Sequence, residues 1–385
     1  MELFIFFLLG MITYFELMLR KLKFKRIYIV ASSLPIISLF YVFYGLFVYK
    51  NNLHHTLFEY HPFVYYFSFI FPIFLLKNRE DVNVFLKWFY YITALYLPFV
   101  LLQYYLAQLN IMILPGKYGE MQIIEETVRY GARTRPVLLF FSLFILWRMI
   151  KRMSLINIAL FVGFVITILL SYSRNFFISL VLGALIIFWL ENKAMFKKLP
   201  VMLTFFFVGA LIIYFLLADT VLGSNILVRL QMISTDSLTS DRSLMYRVME
   251  TKHAWRVIAK APFLGHGLGY SYFSSLLSAN YYIHNSYLFL WMKMGIPGLI
   301  SVASLFWLVG HLSMKLISNP NLQPHIKGFA IACFAYNISI IPSSIVNPMI
   351  VMDNASIILF SLLLGVLIKL NQISENDKQD NLHEL

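Results

Sequence analysis

Long apolar runs recur along almost the whole length of this 385-residue chain. A helix needs about 20 residues to cross the hydrocarbon core of a bilayer, and a backbone in lipid must satisfy its own hydrogen bonds. Hydrophobic residues make up 60% of the chain and charged residues 13%, and that charged share is well below the level of a soluble domain. The pattern predicts an all-α fold: a polytopic helical membrane protein with about 11–12 transmembrane helices.

The apolar runs define eleven predicted spans. They lie near 2–19, 27–49, 63–76, 82–106, 136–150, 154–172, 175–190, 201–217, 285–310, 328–345 and 354–370. No basic region precedes the apolar N-terminus and no clear small-residue cleavage site follows it, so we expect the first helix to remain in the protein. The whole chain, 1–385, is then predicted to form a single integral membrane domain.

Lysine and arginine residues indicate which ends of the spans face the cytoplasm. Every second connection is short and basic, beginning with residues 20–26, and such connections mark the cytoplasmic side. The outer side then holds two long connections, near 107–135 and 218–284, and a tight hairpin at 171–175. Eleven spans place the C-terminus inside and the N-terminus outside, and a twelfth span would reverse the N-terminus.

The predicted outer connections prefer arginine to lysine. They contain eight Arg and four Lys, whereas the predicted cytoplasmic connections contain five Arg and twelve Lys. Membrane topology requires few cations outside and has no preference for arginine there. Binding of a diphosphate does favour arginine, because its planar guanidinium pairs bidentately with phosphate oxygens and keeps its proton. The bias therefore indicates a binding site for a diphosphate group on the outer side.

Arg174 lies in the tight hairpin Ser171–Asn175. The two apolar runs on either side contain no other formal charge between Leu155 and Leu190. A charged residue drawn towards membrane depth suggests a functional site. The alternative is an arginine at a hairpin tip whose side chain extends to lipid phosphates.

A helix is predicted within the long outer loop, from Asp241 to Lys260. Apolar residues recur along it at helical spacing: Met245, Val248, Trp255 and Ala259. Lys252 and Arg256 interrupt this stripe, so the helix is imperfectly amphipathic and is expected to be interfacial. It carries Arg242 and Arg247, which are further candidates for diphosphate binding, although a basic helix resting on anionic lipid is the alternative. Pro262 ends the helix, and Gly265–Gly269 is expected to be a flexible turn.

His284 and Asn285 begin the ninth predicted span. A helix N-terminus disfavours protonated imidazole, which leaves a neutral histidine available as a base. Asn285 could orient a substrate or cap the helix. Gly295 and Gly298 follow, and they would let a helix or a lipid chain approach closely. A structural role for His284 stays open, and the rival candidates for the base are His253 and His266.

The predicted outer segments lack the residue patterns of several other chemistries. They contain no Asp-x-Asp motif, no His/Cys metal cluster and no recognisable Ser/His/Asp arrangement. Cys333 is the single cysteine, which excludes an intramolecular disulfide. The net charge of +13 follows from topology and the outer arginines, so no nucleic-acid partner is expected. A glycosyl transfer here would need cationic side chains, rather than a metal or other cofactor, to stabilise its leaving group.

Three motifs in a fixed order carry a resemblance to a known family. They are Ser173-Arg174-Asn175 at the start of a span, then Arg247, Trp255 and Pro262-Phe263-Leu264-Gly265-His266-Gly267-Leu268-Gly269, and finally His284-Asn285 with Gly295 and Gly298. In these motifs the chain resembles the O-antigen polymerase/O-antigen ligase superfamily of bacterial glycan-assembly membrane proteins. Members commonly keep both chain ends in the cytoplasm, and eleven spans depart from that arrangement.

The resemblance implies an extracytoplasmic glycosyltransferase in the bacterial inner membrane. Its donor would be a polyprenyl-diphosphate-linked glycan, and its acceptor a hydroxyl group of a glycan or of a lipid-linked molecule. His284 would be the catalytic base that takes the hydroxyl proton. Arg247 and Arg174 would bind the departing diphosphate, with Arg242 as a second-rank candidate. Further candidates for substrate binding are Asn285, Arg129, Arg133 and Arg135.

Two activities share this chemistry. A polymerase would join oligosaccharide repeat units on the lipid carrier into O-antigen or capsule, and a ligase would pass the glycan to lipid A-core or another acceptor. We favour the polymerase, because nothing in the sequence suggests a dedicated dock for lipid A-core. A precursor transporter is the alternative from another class, but transporters place their charged residues near the bilayer midplane. The partners implied are membrane lipids, a chain-length regulator and a flippase.

Overall fold

A computed structural model describes residues 25–108, 121–124, 127–130, 135–171, 173–191, 242–274, 277–280 and 283–383. The helices within these ranges are α1 (Lys25–Ala31), α2 (Ser33–Phe47), α3 (Leu53–Val64), α4 (Ile70–Leu75), α5 (Arg79–Gln108), α6 (Arg135–Lys151), α7 (Leu155–Leu170), α8 (Arg174–Glu191), α9 (Arg242–Ile258), α10 (Ser286–Ile317), α11 (Pro324–Val346) and α12 (Asn354–His383). The predicted all-α class is confirmed.

Two short hairpins in the described residues add a little β-structure that the sequence patterns do not predict. Strand β1 (Met121–Ile124) pairs antiparallel with β2 (Thr127–Tyr130), and β3 (Tyr272–Ser274) pairs antiparallel with β4 (Leu277–Asn280). Each hairpin lies in one of the two long connections between predicted spans. Neither changes the fold class, because two short strands cannot bury a core of their own.

Four helices in the described part of the chain are long and apolar enough to cross a membrane. They cover Arg79–Leu106, Ser286–Ile317, Pro324–Val346 and Asn354–Asn376. Three shorter apolar helices cover Ser33–Phe47, Leu155–Leu170 and Asn175–Glu191. These helices confirm a multi-pass membrane protein. The spans predicted near 2–19 and 201–217 lie outside the described residues, so the total number of spans and the side of the N-terminus stay predictions.

The third predicted span differs from the observed structure. Helical backbone begins ten residues earlier than predicted, at Leu53, where the Asn52 side chain accepts a hydrogen bond from the backbone nitrogen of His55. The segment is also discontinuous, because α3 gives way to a 3-10 turn at Tyr65–Phe69 before α4 begins. Pro62 lies inside α3 just before this change, and its ring removes an amide donor and crowds the preceding turn.

The chain divides into two compact units, Met1–Leu86 with Arg247–Leu385, and Lys87–Tyr246. In the first unit α10 packs along α11 and α2, and α12 packs against the 3-10 turn and α4. In the second unit α6 packs against α7 and α8. The expectation of one integral membrane domain over 1–385, with a large outer loop at 218–284, stays a prediction.

Candidate active site

Helix α9 confirms the helix predicted within the long loop. Its buried face consists of Glu250, Ala254, Val257 and Ile258, which recur at helical spacing. The apolar residues Met245, Val248 and Trp255 are instead about half exposed. An exposed apolar stripe is compatible with a helix at a membrane interface, and that position stays a prediction.

The Trp255 ring fixes the end of α9 to α10. It contacts Trp291 edge to face, with 5.3 Å between the ring centres. The Trp291 indole nitrogen donates a hydrogen bond of 2.8 Å to the carbonyl of Pro262. The tryptophan and the proline of the second sequence motif therefore both contact α10, the helix that contains Gly295 and Gly298 of the third motif.

The segment 262–270, here called the glycine loop, is not the flexible turn that its composition predicted. Residues 265–269 are buried. Its backbone is hydrogen-bonded to α10, with His266 N donating to Met292 O at 3.0 Å and Gly267 N to Lys293 O at 2.9 Å. Gly265, Gly267 and Gly269 have φ values of 67°, 79° and 78°, a conformation that side chains disfavour. These glycines therefore allow the loop to adopt one fixed, tightly packed backbone conformation.

Gly295 lies at a break in α10, and the glycine loop packs directly against it. Its φ is 58°, and an added Cβ would lie 2.1 Å from the carbonyl oxygen of Phe263. The next amide, Ile296 N, donates to that same carbonyl at 2.9 Å. The sequence predicted that a helix or a lipid chain approaches closely at Gly295, and the group that does so in the structure is instead the backbone of the glycine loop. Two motifs that are separate in sequence thus form one packing unit.

A fully buried ion pair lies beside this packing unit, and the sequence patterns did not identify it. Lys293 Nζ lies 2.6 Å from Glu59 Oε1, and both side chains are 0% exposed. Lys293 Nζ also donates to the carbonyl of Tyr270, and Glu59 Oε2 accepts from Gly269 N at 2.6 Å. The pair therefore joins α3, α10 and the end of the glycine loop. A lysine inside an apolar span was the available signal, since such a charge requires a partner.

His284 is held by a carboxylate of α9. Its Nδ1 lies 2.9 Å from Glu250 Oε2, and its backbone nitrogen lies 3.4 Å from the same oxygen. The His284 side chain is 28% exposed and the Glu250 side chain only 2%. The imidazole is therefore hydrogen-bonded on one side to the buried carboxylate of Glu250, while part of its ring is exposed at the surface. Glu250 was missed in the sequence because 34 residues separate it from His284.

Asn285 caps α10. Its Oδ1 accepts hydrogen bonds from the backbone nitrogens of Tyr287 and Leu288, each at 3.0 Å. Of the two roles open to this residue, the structure confirms capping. The cap fixes the start of the helix immediately after His284.

Arg247 lies on α9 one turn before Glu250. Residues three apart on a helix share a face, so the guanidinium belongs to the same side of α9 as the carboxylate that holds His284. Arg247 is half-buried, and its Nε is buried with no hydrogen-bond partner among the described residues. A buried donor without a partner is costly, which makes Arg247 a candidate for binding an anionic ligand.

The rival histidines occupy different surroundings. His266 is buried in the glycine loop between the rings of Tyr49 and Tyr270, and this burial lowers the pKa of its imidazole. His253 is half-buried on α9, where burial and the charges of Arg256 and Lys260 lower the pKa of its imidazole. His284, by contrast, lies against the buried carboxylate of Glu250.

The remaining predicted arginines belong to the second unit. Arg174 is the first residue of α8, Arg242 is the first residue of α9, and Arg129 lies in β2. Arg135 is the first residue of α6 and is buried, with its guanidinium carbon 6.0 Å from the ring centre of Phe176. Arg133 lies outside the described residues. The roles of these five arginines in substrate binding stay predictions.

Metal ligands do not cluster in the part of the chain that the structure describes: it holds no group of three or more His, Cys, Asp or Glu side chains suited to a metal ion. The prediction that the reaction needs no metal is not tested by this observation.

Residues 159–303 match the family model described as O-antigen ligase. The matched segment begins within α7, ends within α10 and contains all three sequence motifs, including Arg174, Arg247 and His284. No protein of curated function matches the chain significantly. The family implies a glycosyltransferase-like enzyme, a polymerase or a ligase, that uses lipid-linked glycan in a membrane. The match agrees with the resemblance carried by the motifs, and it supports the O-antigen polymerase/ligase superfamily for this chain.

Proposed function

We propose that this protein polymerises polyprenyl-diphosphate-linked oligosaccharide repeat units into a surface polysaccharide of the O-antigen or capsule type. The observation that carries the proposal is the arrangement of His284 on the buried carboxylate of Glu250, one helical turn from Arg247. It supports the proposal because His284 and Arg247, which we assign to the base and to phosphate binding, both lie within the segment that matches the family. Base and anion site are the two elements that a glycosyl transfer from a lipid diphosphate requires.

His284 acts as the base in this reaction. The acceptor hydroxyl oxygen attacks the anomeric carbon of the donor, and the bond from that carbon to the diphosphate oxygen breaks. The electron pair leaves with the polyprenyl diphosphate, and the proton of the hydroxyl goes to the His284 imidazole. A histidine suits this role because its ordinary pKa lies close to neutral pH.

Arg247 binds the diphosphate. Negative charge grows on the leaving oxygen as the glycosidic bond breaks, and a guanidinium placed there stabilises it. The donor Nε of Arg247, buried without a partner among the described residues, is available for this contact. We also assign diphosphate binding to Arg174 and Arg242. Further candidates for substrate contacts are Asn285, Arg129, Arg133 and Arg135. In this mechanism the arginines take the place of a metal ion.

The protein is assigned to the bacterial inner membrane, with its active site on the extracytoplasmic side. The alternation of basic connections supports this orientation. A flippase would deliver the lipid-linked donor to that side, and a chain-length regulator would set the length of the polymer.

A ligase is the second candidate function, because the matching family model carries that description. Both activities break the same bond in the donor. They differ in the acceptor, which is a lipid-linked glycan for the polymerase and lipid A-core or another acceptor for the ligase.

Surface glycan from a deletion strain distinguishes the two. The strain is complemented with the wild type, Arg247→Ala, His284→Ala or the control Arg256→Ala, which changes an exposed arginine of the same helix. A polymerase predicts that a ladder of long chains collapses to single repeat units in the deletion and in the two site variants. Loss of all attached glycan, with lipid-linked polymer accumulating, identifies a ligase. A wild-type ladder from both site variants contradicts the proposed site.

A further inference from the structure

Glu250 differs from every other described charged residue on α9. The helix sequence Arg242–Ile258 contains five basic or histidine side chains and this one acid. The carboxylate is nevertheless turned inward and is 2% exposed. Burial of a carboxylate is unfavourable unless hydrogen bonds compensate it. In the described structure its partners are the backbone nitrogen and the imidazole Nδ1 of His284.

These contacts determine which imidazole nitrogen can act as the base. An ionised carboxylate only accepts hydrogen bonds, so Nδ1 must carry a proton to bond with it at 2.9 Å. In the neutral imidazole the lone pair is then on Nε2. We propose that Glu250 is a positioning residue that fixes His284 in the tautomer with Nε2 as the base, an assignment that rests on the proposed function above.

The same carboxylate stabilises the charge that forms during the reaction. When Nε2 takes the proton of the acceptor hydroxyl, His284 becomes an imidazolium with Nδ1 still bonded to Glu250. A buried ionic hydrogen bond is stronger than one in water, because the surrounding dielectric constant is lower. Glu250 therefore favours the proton transfer as well as the ring orientation.

The position of Glu250 also couples the base to the leaving-group site. Arg247 and Glu250 are one turn apart on a single helix, and the Glu250 side chain is hydrogen-bonded to His284. The helix thus sets the distance between the group that binds the diphosphate and the group that holds the base. A rigid element of this kind positions catalytic groups more accurately than a loop does.

Glu250→Gln tests the tautomer directly. Glutamine has nearly the same size, but its amide group can donate to Nδ1 and so favour the tautomer with the proton on Nε2. We expect kcat for chain extension by the purified full-length protein to fall about 100-fold or more, with KM for the lipid-linked donor changed less than about threefold. Glu250→Asp keeps an acceptor-only carboxylate and should recover at least about a tenth of the wild-type kcat. Rates are compared per amount of folded, monodisperse protein.

A double-variant cycle with His284→Ala separates a positioning role from a general structural one. If Glu250 acts through the imidazole, adding Glu250→Gln to His284→Ala lowers kcat no further. Two outcomes overturn the role of Glu250 and leave the proposed function standing. One is that the effects of the two changes on kcat multiply in the double variant. The other is that Glu250→Gln keeps the wild-type kcat while His284→Ala is slowed. A wild-type kcat in His284→Ala itself overturns the base assignment and with it the proposed function.

Discussion

Removing the charge of Lys293 should destabilise the first unit severely. Lys293→Met keeps most of the side-chain volume but leaves the Glu59 carboxylate buried and without its cation, at a site where both side chains are 0% exposed. Loss of one partner of a buried ion pair costs about 3–5 kcal/mol. At about 1.4 kcal/mol for each factor of ten, the folding equilibrium constant should fall about 10²–10⁴-fold.

The companion variants identify the uncompensated charge as the cause. In Glu59→Gln with Lys293→Met both formal charges are gone, and the glutamine oxygen can still accept from Gly269 N. The double variant should therefore recover at least about half of the stability lost by Lys293→Met, because replacing a buried pair by neutral groups is often close to neutral. Lys315→Met is the matched control on the same helix, since Lys315 and its partner Glu375 are partly exposed. It should change stability by less than about 1 kcal/mol.

Unfolding of the purified protein in mixed detergent micelles, followed by tryptophan fluorescence during titration with a denaturing detergent, measures these differences. The reasoning is refuted if Lys293→Met unfolds at the same detergent fraction as the wild type, or if the double variant is no more stable than Lys293→Met.

Three further predictions concern the loop and the site. Gly295→Ala should destabilise the protein by about 1–3 kcal/mol, because the φ of Gly295 is 58° and the added Cβ would lie 2.1 Å from a loop carbonyl oxygen. The control is Gly310→Ala, where the atom nearest to the added Cβ is 3.7 Å away, and it should be neutral or stabilising in the same unfolding titration. Arg247→Lys keeps the charge but loses the bidentate fork, so chain extension should fall about 10-fold or more, whereas exposed Arg256→Ala should retain it; equal rates would contradict the diphosphate role. The pKa of the His266 imidazole is lowered in the folded protein, so the unfolded chain binds the proton more tightly. The contribution of His266 to the free energy of unfolding is therefore present when the pH is above the ordinary pKa of 6.5, and it is lost as the pH falls below that value. His266→Asn should lack that part of the acid-induced loss in unfolding titrations between about pH 7 and pH 5, and an unchanged pH dependence would contradict it.

Local sequence patterns predicted the elements that depend on neighbouring residues. The apolar run after Asn285 predicted α10. The observed cap is formed by the Asn285 side chain, which accepts hydrogen bonds from the backbone nitrogens of Tyr287 and Leu288. Helical spacing predicted α9, and the motif around His284 identified the residue that the structure places on a carboxylate. Each of these signals lies within a few residues of the feature it predicts.

Several of the features that were missed depend on residues far apart in the chain. Glu59 and Lys293 are 234 residues apart, and no spacing rule relates them. The glycine loop was predicted to be flexible because glycine permits many conformations. Its composition could not reveal that the carbonyls of Met292 and Lys293 would hold the loop in one of them. The early start at Leu53 was missed because the polar residues of α3 weaken the apolar pattern on which a span is predicted.

Extension of lipid-linked repeat units by the purified protein tests the central claim most directly. The protein in proteoliposomes is given a polyprenyl-diphosphate-linked repeat unit in the presence of a metal chelator, and both the lengthened glycan and the released polyprenyl diphosphate are measured. The wild type should form both products in equal amounts per bond made, and His284→Ala and Arg247→Ala should form both at least about 100-fold more slowly. Full extension by His284→Ala, or extension by the wild type only when a divalent metal is restored, would contradict a reaction carried out by this histidine and these arginines.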